Sequence, residues 1–132
     1  MSHHPLSATA DTSVREVMRI LFEKDIRHLP IVDGSSLIGI VSIRDLPAVV
    51  ASGVCYFGDP HEVEHVLDQP VSNVMTSSVI SVRPTSGLGA AVDLMLAHKV
   101  GALPVVGADG RTLIGILSYT DALRVVRPLL KD

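Results

Sequence analysis

The chain has 132 residues, 47% of them apolar but only 3% aromatic, with a net charge of −3, one cysteine and no tryptophan. That length holds one domain or two small modules sharing an aliphatic core, and the mild acidity gives no footing to a nucleic-acid reading built on a basic surface. No apolar run reaches membrane-spanning length, Met1-Ser2-His3-His4-Pro5 lacks a signal peptide's apolar centre, and the lone Cys55 excludes an internal disulfide and fits a reducing cytoplasm.

Residues 6–9 read as a short strand. Ser13 is placed to cap a helix whose Val14, Val17, Met18 and Leu21 follow one face, and Ser13-Val14-Arg15-Glu16 has the order of a capping box. Leu29-Pro30-Ile31-Val32 reads as a buried strand, Asp33-Gly34-Ser35-Ser36 as a turn, and Leu37 to Val41 as the returning strand of a hairpin. A helix should follow Ser42. Pro47 removes one of its early backbone bonds and crowds the preceding turn, so that helix is expected to start late or kink. Residues 51–70 form a connection punctuated by Gly53, Gly58, Pro60 and Pro70. Inside it, Asp59-Pro60-His61-Glu62 is ordered as a helix start, with an N-cap acid and proline at the first position, and the helix should run to about Leu67.

From residue 72 the first half begins again. Ile80-Ser81-Val82 follows Leu6-Ser7-Ala8, and Leu88, Ala91, Val92 and Met95 follow Val14, Val17, Met18 and Leu21. Leu103-Pro104-Val105-Val106 repeats Leu29-Pro30-Ile31-Val32, and Leu113-Ile114-Gly115-Ile116 repeats Leu37-Ile38-Gly39-Ile40. The offset grows from 74 to 76 because the turn Gly107-Ala108-Asp109-Gly110 carries two extra residues. A last helix should run from about Tyr119 to Val126, before Pro128. Insertions confined to a turn mark a genuine internal repeat. The organisation is a first repeat over 1–50, a connecting segment over 51–70 and a second repeat over 71–132.

Each repeat ends on the same pattern: Gly39-Ile40-Val41-Ser42-Ile43-Arg44-Asp45, then Gly115-Ile116-Leu117-Ser118-Tyr119-Thr120-Asp121. The glycine admits another group close to the backbone. Where strand hands over to helix, free N–H groups and the serine hydroxyl suit a phosphate, and the aspartate suits the two vicinal hydroxyls of a ribose. Ser-x-x-Asp at a helix start is also a capping box. Both readings stand on these residues, and two copies in equivalent places strengthen the first.

The combination of Ile26-Arg27-His28-Leu29-Pro30-Ile31-Val32-Asp33 with the later Gly-apolar-apolar-Ser-x-x-Asp resembles the cystathionine β-synthase (CBS) domain, and two in tandem resemble the CBS pair, or Bateman module. The resemblance implies an α+β fold, two β-α-β-β-α repeats packed about a pseudo-twofold axis, with two related clefts for adenosine-containing ligands. It implies AMP, ADP or ATP as ligand, with S-adenosylmethionine or NAD as alternatives and no resident cofactor. It places ribose contacts on Asp121 and Asp45, phosphate contacts on Ser118, Ser42, Lys24, Arg27, His28, His98 and Lys99, and the adenine beside Ile80 and Pro104. The lead-in Val71-Ser72-Asn73-Val74-Met75-Thr76 resembles the family's usual opening segment, whereas the first repeat has only Met1 to Pro5 there. With that lead-in expected to hold the strand around Ile80, no early proline after Ser118, and cations of the first repeat reaching across, the Asp121 site is expected to bind more tightly.

The functional expectation is a non-enzymatic regulatory module that senses an adenine nucleotide, forms a homodimer and acts on an enzyme or transporter, without nucleic acid or membrane as partner. A structural or dimerisation module with empty clefts is the alternative. The distant third is a zinc hydrolase, because His61-Glu62-Val63-Glu64-His65 fits His-Glu-x-x-His. No third ligand is near in sequence, so coincidence on a surface helix is preferred and no metal is expected. Cys55 reads as an apolar filler, and Tyr56 and Phe57 as plugs between modules.

Overall fold

The computed structural model describes residues 2–3, 5–46 and 60–130. The described residues fall into two units, one drawn from Leu6–Gly34 and Ile38–Val79, the other from Met1–Pro5, Ser35–Leu37 and Ile80–Asp132. Strands and helices alternate in both, so the fold is α+β with two sheet-and-helix repeats. Pro47, Gly53, Cys55, Tyr56, Phe57, Gly58 and Asp59 lie outside the described residues.

The first unit is built around helix α1 (Val14–Glu23). Ser13 caps it from extended backbone, its Oγ accepting the Glu16 N–H at 3.1 Å. The box is only half made, because the Glu16 carboxylate turns away from the cap to bond Arg19. Val14, Val17 and Leu21 are spaced to share a face and are buried. The helix stops at Lys24, and Asp25 takes φ +51° so that the Ile26 N–H reaches back to the Leu21 carbonyl at 3.0 Å. A left-handed aspartate where glycine is usual costs about 1 kcal/mol, which the following buried strand offsets.

Strand β3 (His28–Asp33) is the centre of the sheet β2-β3-β4, with β2 (Ala8–Thr9) parallel to it through Ala8↔Ile31 and Thr9↔Val32. Leu29, Pro30, Ile31 and Val32 are all buried without alternation, the pattern of a strand covered on both faces. The turn to β4 (Ser36–Ser42) passes through Gly34 at φ +63°. Val71 completes this unit's core beside Val14, Val17, Leu29, Ile31 and Val41. Its N–H donates to the Thr12 carbonyl at 2.7 Å, and Ile40 bridges antiparallel to Thr76. The lead-in 71–79, which opens the second repeat in sequence, therefore packs with the first repeat's core, and its expected support of the strand around Ile80 is not what the structure shows. Helix α2 (Pro60–Leu67) ends where the sequence predicts and is tied to α1 by Arg15, which bonds Glu64 and Asp68.

In the second unit the sheet order is β1-β6-β5. Strands β5 (Ala102–Val106) and β6 (Leu113–Ser118) pair antiparallel from Ala102↔Ser118 to Val106↔Leu113, with an irregularity at Val105/Val106. β1 (Ser2–His3) adds to β6 through Ser2↔Ile116 and His3↔Gly115. Ser2 on Ile116 repeats Thr76 on Ile40, at the offsets of 74 and 76 that relate the two halves. Each repeat's lead-in thus completes the sheet of the other repeat. The expected strand at Ile80-Ser81-Val82 shrinks to a single parallel bridge, Val82↔Val105. Helix α3 (Leu88–His98) buries Ala91 and Met95 against Leu103 and Val105, and stops at Lys99 with φ +55°. The longer turn is held by Asp109, which accepts the Arg111 and Thr112 N–H groups, each at 2.9 Å, and the Thr112 hydroxyl. Those donors, the hydroxyl foremost, bring its carboxyl down to about 2.

Candidate functional site

Two strand-to-helix turns carry the candidate chemistry, one in each unit. In the first, β4 ends at Ser42 and the chain makes a single 3₁₀ turn, Ile43–Asp45, before Leu46 leaves in extended backbone. The late or kinked helix expected around Pro47 lies outside the described residues. The Ser42 N–H donates to Asp45 Oδ2 at 2.9 Å, and the Ile43 N–H donates to the Arg27 carbonyl at 3.0 Å. The second bond locks the start of β3 against the turn. Asp45 is exposed, and its other oxygen has no partner among the described residues.

In the second, Ser118 ends β6 and caps α4 (Tyr119–Val126). Asp121 Oδ2 accepts the Ser118 N–H at 2.9 Å and the Ser118 hydroxyl at 3.0 Å, while the Asp121 N–H donates back to Ser118 Oγ at 3.2 Å. The Tyr119 N–H donates to the Gly101 carbonyl at 2.9 Å, the counterpart of Ile43 on Arg27. Asp121 Oδ1 faces Arg124 Nη1 at 3.7 Å. Burial alone would raise the Asp121 carboxyl, but the Ser118 N–H and hydroxyl outweigh it and Arg124 adds to them, so the acid is held below its ordinary range.

The box and the ribose readings are compatible in this geometry. Each aspartate spends Oδ2 on its own turn and directs Oδ1 elsewhere. A vicinal diol needs two acceptor lone pairs, and Oδ1 of each carboxylate carries two; at Asp121, where Ser118 takes both lone pairs of Oδ2, the diol would share Oδ1 with Arg124.

The remaining candidates divide by unit. Lys24 caps α1, Arg27 is exposed before β3, and His28 opens β3 half-buried, all in the unit of Ser42 and Asp45. Burial pushes the His28 imidazole down, opposed by Asp45 and reinforced by Arg27 and Arg44. His98 and Lys99, both exposed, end α3 in the unit of Ser118 and Asp121. Ile80 is half-buried there, while the Pro104 side chain is fully buried and its carbonyl takes the Val82 N–H at 3.0 Å. Reading by motif passed over Arg44, which stands inside Ser-x-x-Asp where the second copy has Thr120. The signal was the difference between the two copies at a motif position left as x.

Within the zinc-like pattern His65 and the intervening Glu64 are otherwise engaged. Gln69 Nε2 donates to His65 Nε2 at 3.0 Å and takes the Asn73 amide on its Oε1 at 2.8 Å, while Glu64 bonds Arg15. Among the described residues no three His, Cys, Asp or Glu side chains gather to hold a metal. No helix among them is long and apolar enough to cross a membrane.

The family profile of the CBS domain matches residues 1–51 and 71–128. The chain belongs to the CBS-domain family, as two tandem copies. Among solved structures it is similar to a putative acetoin utilization protein of Vibrio cholerae, at 34% identity and TM-score 0.77 over 98% of this chain and 87% of that one. It is similar to CBSX2, solved in complex with AMP, at 31% identity and TM-score 0.77 over 96% of this chain and 90% of that one. The homoserine O-acetyltransferase of Methanohalobium evestigatum is 30% identical over 115 residues, 86% of this chain. The chain spans 20% of that protein's length and 58% of the full-length chloroplastic CBSX2 of Arabidopsis thaliana.

Proposed function

We propose that the chain is a regulatory module that binds adenosine-containing nucleotides of the AMP, ADP and ATP class at its two Ser-x-x-Asp turns, without catalysing a reaction. The observation that carries the reading is the carboxylate at each turn, which keeps one oxygen outside the cap. The AMP complex of CBSX2 supports the ligand class. Asp45 and Asp121 would take ribose, Ser42 and Ser118 the turn-proximal phosphate, and Ile80, with the segment of buried Pro104 behind it, would flank adenine. Lys24, Arg27, His28, His98 and Lys99 would supply cations to phosphate. S-adenosylmethionine and NAD share the adenosine half and belong in the same ligand panel. A cytoplasmic setting, with an enzyme or transporter as the regulated partner, completes the proposal.

Calorimetry of the chain against AMP, ADP, ATP, S-adenosylmethionine and NAD, with GTP as control, tests it. Saturable binding of an adenosyl ligand with GTP excluded supports the sensor; no binding of any of them refutes it. The second reading, a structural module, has its own support, because the Ser118–Asp121 box is complete without a ligand. Under that reading the aspartates serve stability alone.

A further inference from the structure

The two turns share a backbone but not a charge. At the first, Arg27 is held against the turn through its carbonyl, His28 follows it, and Arg44 stands between Ser42 and Asp45. At the second, the carbonyl in the same role is that of Gly101, the strand opens with Ala102, and Thr120 takes the place of Arg44. Arg15, Arg19 and Arg124 all have carboxylate partners. Arg27 and Arg44 have no side-chain bond or ion pair with any described residue, and both are exposed. Two unpaired guanidiniums on the residues of a turn with one carboxylate leave excess positive charge, which an anion with several oxygens would neutralise. The second turn has no guanidinium at either of these two positions; its cations are His98 and Lys99 at the end of α3 and Arg124, which faces Asp121. There the Ser118 hydroxyl donates to Asp121, so a phosphate oxygen would compete with that carboxylate for its proton.

We propose that the Asp45 turn selects adenosine nucleotides carrying a polyphosphate chain, with Arg44 as a specificity residue, and that the Asp121 turn takes adenosyl ligands of little or no charge. This rests on the nucleotide reading above and adds a division of labour to it.

The test is calorimetry of the full chain with ATP and adenosine, in the native protein, Arg44→Thr and Thr120→Arg. Arg44→Thr should lower the ATP-to-adenosine affinity ratio about tenfold, the scale of one lost charge-assisted contact. ATP binding should also become less sensitive to salt. Thr120→Arg should raise the ratio by creating a second cationic turn. Arg44 is exposed and unpartnered, so a thermal melt close to the native one confirms that the first variant is folded. If both ligands bind the native chain and neither substitution moves the ratio, the division of labour is overturned while the nucleotide reading stands. If neither ligand binds the native chain, both are overturned.

Discussion

Asp121→Asn separates a ligand carboxylate from a cap, because the two roles put different numbers on one substitution. In the unliganded chain Asp121 Oδ2 accepts two hydrogen bonds from Ser118, and the carboxyl is held below its ordinary range. Asparagine keeps an acceptor for the Ser118 N–H but loses the negative charge at the first turn of α4. Losing a cap outright costs about 0.5–2 kcal/mol, and a partial replacement belongs in the lower half, about 0.5–1 kcal/mol. A ribose hydroxyl donating to the carboxylate is a bond to a charged group, worth about 1.5–3 kcal/mol. Adenosine affinity should therefore fall roughly ten- to a hundredfold. Urea unfolding reads the first number and calorimetry the second. Asp45→Asn should show the smaller stability loss, because Asp45 is exposed and the single bond it accepts, from the Ser42 N–H, lies on one 3₁₀ turn. Its binding loss should fall on ATP. If Asp121→Asn lowers stability as expected yet leaves adenosine affinity unchanged, the carboxylate is a cap and nothing more.

A methyl group on Gly39 would lie 2.4 Å from Sδ of the flexible, half-buried Met75 side chain, so Gly39→Ala should destabilise by about 1 kcal/mol, and shortening Met75 in the same chain should recover part of that in urea unfolding. His28 is held below its ordinary value near 6.5, first by burial and then by Arg27 and Arg44, so the unfolded chain binds its proton more readily. Its contribution to stability should be complete above about pH 6.5 and shrink as pH falls through the lowered folded value, a dependence that His28→Gln removes from melting curves between pH 7 and 5. Asp25→Gly should stabilise by at most roughly 0.5 kcal/mol, the relief of a left-handed non-glycine residue less the entropy of glycine, as read from the urea midpoint. Leu96 is 72% exposed on α3 and Leu123 59% exposed on α4, apolar surface that a second copy would cover. Light scattering at tens of micromolar, an order-of-magnitude working range, should give a dimer mass, and a monomer mass refutes the association.

Local chemistry wrote much of this protein legibly. Ser13, Ser118 and the helical spacing of Val14, Val17 and Leu21 act within a few residues, so helix starts and buried faces could be read without a structure. The internal repeat, its two extra turn residues and the paired Ser-x-x-Asp motifs were equally open, because a duplicated pattern announces itself by its offset. What each group bonds to was less open. Glu16 has the spacing of a capping residue, yet a nearby arginine competes for its carboxylate and wins.

Tertiary structure decided the partners that sequence distance hides. Residues 71–79 stand at the head of the second repeat, but Val71 fills the core of the first and Thr76 bridges Ile40, while Ser2 pairs with Ile116. A strand's hydrophobic pattern says that it must be paired and buried, and it carries no address for the strand that will pair with it. The charge difference between the turns had the same status. Arg44 and Thr120 were visible in the sequence, and the Arg27 carbonyl on Ile43 brought a second arginine to the turn of Arg44 and Asp45. Side-chain identity is local information, whereas the field at a site is a sum over whatever the fold brings near it.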